Sequence, residues 1–121
     1  MKGMEWLIEA FGCESALLLD RRQLDLLFET IVRRMALRPV GQPVWHIFDQ
    51  GGATGIWLLQ ESHLTIHTFP EYSSVCVNVF CCTQRESMDW HATFSSVLGA
   101  TDLKVRECER IYQRPESGSG T

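Results

Sequence analysis

The sequence predicts an α+β fold, in which helices pack on one face of an antiparallel sheet to form a two-layer sandwich. Two observations predict it. Short runs of β-branched and aromatic residues fill the middle of the chain, and their connections are too short for the helical crossovers that parallel strands require. An amphipathic segment lies on each side of that region and has the apolar spacing of a single helix.

A strand and a helix are predicted first. Apolar and acidic side chains alternate over residues 5–11, and Gly12 ends this strand. Asp20 is the predicted N-cap of the helix, which Pro39 and Gly41 terminate. The apolar face of this helix consists of residues at helical spacing: Leu24, Leu27, Phe28, Ile31, Val32 and Met35.

Four strands, a second helix and a last strand follow. The approximate limits of the four strands are 43–49, 55–60, 63–69 and 74–82. Ser87 is the predicted cap of the second helix and Gly99 closes it, and the last strand covers 103–112. No repeat or linker interrupts this order, so we predict one domain over residues 1–114 and a disordered tail over 115–121.

Composition narrows the classes of function. The chain has 121 residues, 45% hydrophobic and 21% charged, which suits one compact domain and is too short for two. The net charge is −4 and no basic patch stands out, so we expect no nucleic-acid partner. Uncharged stretches such as residues 51–60 are far below the ~20 residues that a bilayer span requires, so we expect no membrane association.

The cellular compartment follows from two further features. Glu5 and Glu9 interrupt what would otherwise be the apolar part of a secretory signal, so we expect a cytoplasmic protein. The five cysteines are odd in number and contain no CxxC pair, which is typical of free thiols in a reducing compartment.

The densest group of reactive side chains lies at residues 60–71, QESHLTIHTFPE, on a predicted strand. A serine hydrolase triad inside this segment is excluded, because Ser62 and His67 are five residues apart and point to opposite faces of a strand. A zinc site is the next hypothesis, since His63 and His67 are four residues apart and two cysteines follow. That spacing gathers ligands on a helix better than on a strand, so we favour ordinary hydrogen-bonded histidines and predict no metal.

This segment resembles the self-cleavage segment of the short prokaryotic S-adenosylmethionine decarboxylases, which make their own pyruvoyl cofactor. The matching string is SHLTIHT at residues 62–68, with Glu61 before it and an aromatic residue, Pro70 and Glu71 after it. Gly-Ala-Thr-Gly at 52–55 and Asn-Val-Phe-Cys-Cys at 78–82 are similar to the family's flanking motifs at the same spacing. The likeness extends more loosely over residues 5–112.

The resemblance implies that the chain is a precursor. The hydroxyl of Ser62 attacks the carbonyl of Glu61, and β-elimination of the resulting ester leaves a pyruvoyl group at residue 62. The products are a β chain, 1–61, and an α chain, 62–121.

The resemblance also implies two processing groups. His67 is the base and the hydroxyl of Thr54 is the proton donor or oxyanion partner. Typical members have serine at the position of Thr54, and the additional methyl group restricts χ1, so slower or altered processing is expected.

Residues for turnover are implied in the same way. The pyruvoyl carbonyl forms a Schiff base with the substrate and accepts the electrons released with carbon dioxide, which suits a chain with few lysines. Cys82 is the implied proton donor, whereas Cys81 lies on the other face of its strand and is predicted to pack in the core. Phe11 and Phe48 are implied to hold the adenine ring between them, and Glu71 to hold the ribose hydroxyls.

The short members of this family act as symmetric dimers, so a homodimer with shared active sites is implied. Ser62 and Cys82 of one protomer then face a second group of residues in its partner: Phe48, Thr54, His67 and Glu71.

Three functions remain open. The first is S-adenosylmethionine decarboxylation for spermidine biosynthesis. The second is the same pyruvoyl chemistry on ornithine or arginine, since Glu71 can pair with a guanidinium group as readily as with ribose hydroxyls. The third is a catalytically silent partner of an active homologue, which the joint presence of Ser62, His67 and Cys82 disfavours.

Overall fold

The computed structural model describes residues 2–114, which fold into one antiparallel sheet with helices on one of its faces. The elements in chain order are β1 (Lys2–Phe11), α1 (Ser15–Leu18), α2 (Arg21–Arg34), β2 (Val44–Ile47), β3 (Ala53–Leu59), β4 (Ser62–Phe69), a 3₁₀ turn (Pro70–Tyr72), β5 (Ser74–Cys81), α3 (Trp90–Leu98) and β6 (Asp102–Ile111). The strand order across the sheet is β2-β3-β4-β5-β1-β6, with antiparallel neighbours throughout. The predicted fold class is confirmed, while the predicted tail at 115–121 lies outside the described residues.

The core lies between the helices and one face of the sheet. In β1 every second side chain is buried, so Trp6 and Ile8 are inaccessible to solvent while Glu5 and Glu9 point the other way. Phe28 of α2 stacks on Trp45, with ring centroids 4.9 Å apart, and each large side chain fully buried in this way contributes about 1.5–3 kcal/mol. The helical layer therefore fixes which side of every strand faces the core.

The other surface of the sheet is called the open face here and carries the side chains of Glu5, Thr54, His63, His67 and Asn78. No helix of residues 2–114 covers it. Several large apolar side chains on its strands are exposed: Phe11, Val44, Ile56, Leu58 and Phe69. The sheet thus has one face packed in the core and one face of mixed apolar and charged character.

Three details of the helices differ from the predictions. Helix α2 ends at Arg34 with Met35 as its C-cap, so the prediction that Pro39 and Gly41 terminate it is wrong. The short helix α1 was not predicted. The cap of α3 is Asp89, whose carboxylate accepts a hydrogen bond from the amide of Ala92, so the prediction of Ser87 as the cap is wrong. The hydroxyl of Ser87 instead accepts a hydrogen bond from the indole Nε1 of Trp90. The predicted helix ends are confirmed at Asp20, which caps α2, and at Gly99, whose φ of +71° closes α3.

Among residues 2–114, none of the helices has the length and apolar character required to cross a bilayer.

Candidate active site

The bond predicted to be cut lies in a tight hairpin. β3 ends at Leu59 and β4 begins at Ser62, and these two residues pair directly, so Gln60 and Glu61 form a two-residue loop. The amide of Gln60 donates a hydrogen bond of 2.9 Å to the carbonyl of Arg38, which belongs to a segment running beside the end of β3. The Glu61–Ser62 bond is therefore held at one end of the sheet, where solvent reaches it.

A pocket of about 300 Å³ opens at this hairpin. Residues that line it include Arg38, Glu61, Ser62, Cys81, Cys82 and Arg85. Ser62 pairs in register with Cys81 of β5, and Cys82 follows at the end of that strand. The structure thus brings together Ser62 and Cys82, for which the family resemblance implies the roles of cofactor precursor and proton donor.

The two adjacent cysteines have different environments. Cys81 is buried, 2% exposed, and burial raises the pKa of its thiol, an effect that the positive charge of Arg85 partly opposes. Cys82 is half-buried, and its carbonyl accepts a hydrogen bond from the hydroxyl of Tyr112 at 2.9 Å. The prediction that Cys81 packs in the core is confirmed, and Cys82 is the more exposed of the two cysteines that line the pocket.

Thr54 and His67 form a second constellation. They pair across β3 and β4, and Thr54 Oγ1 lies 3.1 Å from His67 Nδ1. His67 is exposed on the open face, beside Cys76 of β5, and His46 of β2 pairs with Thr54 on the other side. The hydroxyl and the imidazole are therefore placed to move a proton as one unit.

This Thr54–His67 unit cannot act on Ser62 of its own chain. Five residues of an extended strand at about 3.3 Å each place His67 about 16 Å from Ser62 along β4. The two side chains also leave opposite sides of the strand, because Ser62 shares its side with the buried Leu64 and Ile66.

Phe48 and Glu71 lie at the same end of the sheet as the Thr54–His67 unit. Phe48 follows β2, is 42% exposed, and contacts His46 edge-on with ring centroids 5.0 Å apart. A Cβ at Gly52 would lie 3.2 Å from the Phe48 ring and 3.1 Å from the carbonyl of Thr68, so glycine permits this close approach. Glu71 is exposed in the 3₁₀ turn that follows β4.

Phe11 stands apart from Phe48. It ends β1, is 43% exposed, and pairs with Asp102 of β6. Phe11 belongs to β1, and β3 is the strand that follows Phe48 in the chain. β4 and β5 lie between these two strands, so β1 and β3 are three strand spacings, about 14 Å, apart. Both rings are accessible, but the sheet does not place them face to face within one chain.

A chain of hydrogen bonds on the open face was not predicted. Arg110 Nη1 donates to Glu5 Oε1 at 2.7 Å, Asn78 Nδ2 donates to Glu5 Oε2 at 2.7 Å, and Asn78 Oδ1 lies 2.8 Å from His63 Nε2. Because the amide nitrogen already donates to Glu5, the amide oxygen accepts from His63, so His63 carries a proton on Nε2. Burial alone would raise the pKa of Glu5, but the bonds from Asn78 and Arg110 outweigh it and hold this pKa below its usual range.

The histidines of the motif therefore have hydrogen-bond partners, as the sequence analysis favoured: Asn78 for His63 and Thr54 for His67. Within residues 2–114 there is no group of three or more His, Cys, Asp or Glu side chains that could hold a metal ion. The Glu5 network was missed because its partners become visible only when the pairing of β1 with β5 and β6 is known.

Comparison with known proteins agrees with this geometry. The family model described as S-adenosylmethionine decarboxylase matches residues 4–111. S-adenosylmethionine decarboxylase proenzymes of Caldicellulosiruptor saccharolyticus and Acetivibrio thermocellus are 32% and 36% identical to the chain, and each alignment covers 93% of this chain and 92% of the relative. The crystal structure of the adenosylmethionine decarboxylase from Aquifex aeolicus is similar with a TM-score of 0.74 and 25% identity, over 95% of both chains. The chain therefore belongs to the S-adenosylmethionine decarboxylase family.

Proposed function

We propose that this protein is a pyruvoyl-dependent S-adenosylmethionine decarboxylase, made as a proenzyme that cuts itself between Glu61 and Ser62. Its product, decarboxylated S-adenosylmethionine, serves spermidine biosynthesis in the cytoplasm. The observation that carries the proposal is the position of Ser62 and Cys82 in one pocket at the β3–β4 hairpin. Close relatives over most of the chain are named as proenzymes of this decarboxylase.

The cut begins with the Ser62 hydroxyl, which attacks the carbonyl carbon of Glu61 and replaces the amide by an ester. β-Elimination then needs a base for the proton on Cα of residue 62. The hydrogen-bonded Thr54–His67 unit supplies a hydroxyl and an imidazole of the required kind. Its distance from Ser62 in the same chain means that the unit acts from a second protomer.

A pyruvoyl group at residue 62 fits the pocket, because the residue opens β4 at the hairpin and its neighbours leave about 300 Å³ of space. When formed, this group takes up the electrons released with carbon dioxide. Cys82 then delivers a proton to the product carbon from a half-buried thiol in the same pocket. Cys81 is too deeply buried for that role and helps to fill the core.

Recognition of the nucleoside rests on Phe48 and Glu71. The exposed ring of Phe48 offers an apolar face to a flat adenine, and Glu71 offers carboxylate oxygens to the ribose hydroxyls. Phe11 is the second aromatic group proposed for the adenine. Because β1 and β3 are separated in the sheet, the dimer has to bring a ring of one protomer near the nucleoside that the other holds.

The proposed assembly is a symmetric homodimer with two shared sites. Each site takes Ser62 and Cys82 from one protomer and the Thr54–His67 unit from the other. The open face, with exposed Ile56, Leu58 and Phe69, provides apolar surface for this contact. A two-fold axis then places the hairpin end of one sheet against the opposite end of the other.

Intact-mass analysis of the purified protein tests the cut. The expected products are chains 1–61 and 62–121, the second blocked to Edman degradation and reactive toward hydrazine. A Ser62→Ala chain is the matched control and stays whole. A wild-type chain that remains uncut after prolonged incubation at neutral pH contradicts the proposal.

Carbon dioxide release tests the substrate. Carboxyl-labelled S-adenosylmethionine, ornithine and arginine are compared at equal concentration with the cut enzyme. Release from S-adenosylmethionine alone supports the proposed substrate, and release from either basic amino acid with none from S-adenosylmethionine overturns it. A cut chain that decarboxylates none of the three contradicts the proposed activity.

A further inference from the structure

Two arginines in the Ser62 pocket have no part in the chemistry described above. Arg85 lies in the loop between β5 and α3, and its Nε is buried without a hydrogen-bond acceptor among residues 2–114. Its positive charge opposes the rise in the pKa of Cys81, which lines the same pocket and is paired with Ser62. A buried donor without a partner costs free energy, so this nitrogen is suited to receive an acceptor from a ligand or from the chain itself.

Arg38 lines the same pocket from the opposite flank of the hairpin. Its carbonyl accepts a hydrogen bond from the amide of Gln60, the residue before Glu61, so the backbone of Arg38 is fixed beside the hairpin. Neither Arg38 nor Arg85 forms an ion pair within the described part of the chain, and Glu61 is the acidic side chain among those that line the pocket. The pocket therefore has an excess of positive charge next to the bond proposed to be cut.

The proposed cut creates a new anion at this place. When Ser62 Oγ attacks the carbonyl carbon of Glu61, the C–N bond breaks, and a neutral ester and a free amino group result. In the elimination a base removes the Cα proton of residue 62, the Cβ–Oγ bond breaks, and Glu61 leaves as a carboxylate with the bonding electrons. Water then enters the dehydroalanine and ammonia leaves, so the whole conversion consumes one water for each ammonia released.

We propose that Arg85, assisted by Arg38, binds the main-chain carboxylate that Glu61 acquires when the ester is eliminated. This inference rests on the proposed function, since it needs the cut at Ser62. A planar guanidinium group suits a carboxylate because it can donate two parallel hydrogen bonds, and burial of the donor strengthens them. The contact stabilises the leaving group during elimination and afterwards holds the end of the β chain beside the residue 62 site.

The test follows the two steps of processing separately in an Arg85→Gln precursor. Glutamine keeps a polar side chain of similar reach but removes the charge. Elimination is expected to slow at least about tenfold, equivalent to about 1.4 kcal/mol in activation free energy. The ester should then accumulate, and hydroxylamine should split it into two chains without a pyruvoyl group. Arg22→Gln, at an exposed position of α2, is the matched control and should process at the wild-type rate.

Two further variants keep the test decisive. Arg85→Lys retains the charge without the planar fork and should process at a rate between wild type and Arg85→Gln. If Arg85→Gln yields neither ester nor product, the exposed Arg38→Gln variant is measured in its place, and accumulation of ester there supports the proposal.

The same carboxylate-binding chemistry could serve the substrate, and kinetics distinguish the two sources. An Arg85→Gln chain that is cut at the wild-type rate without ester, but whose mature form has a raised KM, assigns the arginine to the substrate and overturns the proposal. Wild-type processing with unchanged KM and kcat overturns it as well. Because wild type is cut in either case, these outcomes differ from failure of the proposed function, in which wild type stays whole.

Discussion

Thr54 Oγ1 and His67 Nδ1 lie 3.1 Å apart on the open face of the sheet, across the β3–β4 pair. A hydrogen bond at Nδ1 fixes the imidazole and leaves its Nε2 free to exchange a proton with a third group. Ser62 of the same chain is about 16 Å away along β4 and cannot be that group.

A mixture of two inactive precursors tests whether the site is shared. Ser62→Ala keeps His67, and His67→Asn keeps Ser62, so each homodimer lacks one group at both sites. A mixed dimer has one complete site, and the His67→Asn chain alone should be cut in it. Intact mass of the mixture identifies which chain is cut. If no cutting occurs after the two are unfolded and refolded together, while refolded wild type is cut, the sites are not shared.

Thr54→Ser should accelerate self-cleavage, because removal of the methyl group frees χ1 and lets the hydroxyl reorient during proton transfer. Thr54→Val keeps the branched shape without the hydroxyl and should slow the cut about 10²-fold or more, as loss of an acid–base group does. The measurement is the rate of precursor loss on a denaturing gel. Thr65→Val on the neighbouring strand β4 is the matched control, and equal slowing in both valine variants would show a general effect on the sheet.

Cys82→Ala should still be cut but should lose decarboxylation by about 10²-fold or more, because the product carbon loses its proton donor. Cys81→Ala removes a thiol that is 2% exposed and should keep turnover. Carbon dioxide release per pyruvoyl group, measured for both variants, separates the two cysteines. Full activity of Cys82→Ala assigns the proton to another group.

Phe48→Ala should raise KM for S-adenosylmethionine about tenfold, since stacking on an adenine is worth about 1–3 kcal/mol per base. Phe11→Ala should do the same if its ring covers the other face of the adenine. Tyr72→Ala, at a position 76% exposed in the 3₁₀ turn, is the control for loss of an aromatic ring. A change in the Phe48 variant without one in the Phe11 variant removes Phe11 from the site.

Glu5→Gln should reduce stability at neutral pH and flatten its dependence on acid. The pKa of Glu5 is held below its usual value, so its ionised form stabilises the fold above the pKa of the unfolded chain. That contribution disappears as the pH falls through the lower folded value. The expected loss at pH 7 is about 1–3 kcal/mol, because Asn78 and Arg110 lose a charged acceptor. Urea unfolding at pH 7 and at pH 3 measures it, and an equal loss at both contradicts the linkage.

The strands were predictable because burial imposes a period of two on their side chains. Trp6 and Ile8 alternate with Glu5 and Glu9, and this pattern fixes both the strand and its buried face. Helix caps are less visible, because Ser87 and Asp89 are both good capping residues and only the backbone position decides which one reaches the amide of Ala92. The four-residue helix α1 has too few residues for any periodicity.

The motif that carries the proposed catalytic residues was visible in the sequence, but its surroundings were not. Ser62, His67 and Cys82 stand out by a resemblance in a local string. Arg85 and Arg38 line the same pocket although they are 47 positions apart in the sequence, and neither lies within a recognisable pattern. Their proposed role depends on tertiary proximity to Gln60 and Cys81, which no local spacing encodes.

The strand order has a consequence for the mature protein. A cut at Glu61–Ser62 leaves β1, β2 and β3 on one chain and β4, β5 and β6 on the other, so β1 is inserted between two strands of its former partner. The fragments are interlaced and cannot separate without breaking the sheet on both sides of β1. After unfolding, the two fragments have to associate in a bimolecular reaction, so the rate of refolding depends on protein concentration. Folding of the uncut precursor is unimolecular and does not have this dependence. With the proposed cut, the protein would fold as a single chain and then exist as two chains, whose reassociation after unfolding is bimolecular.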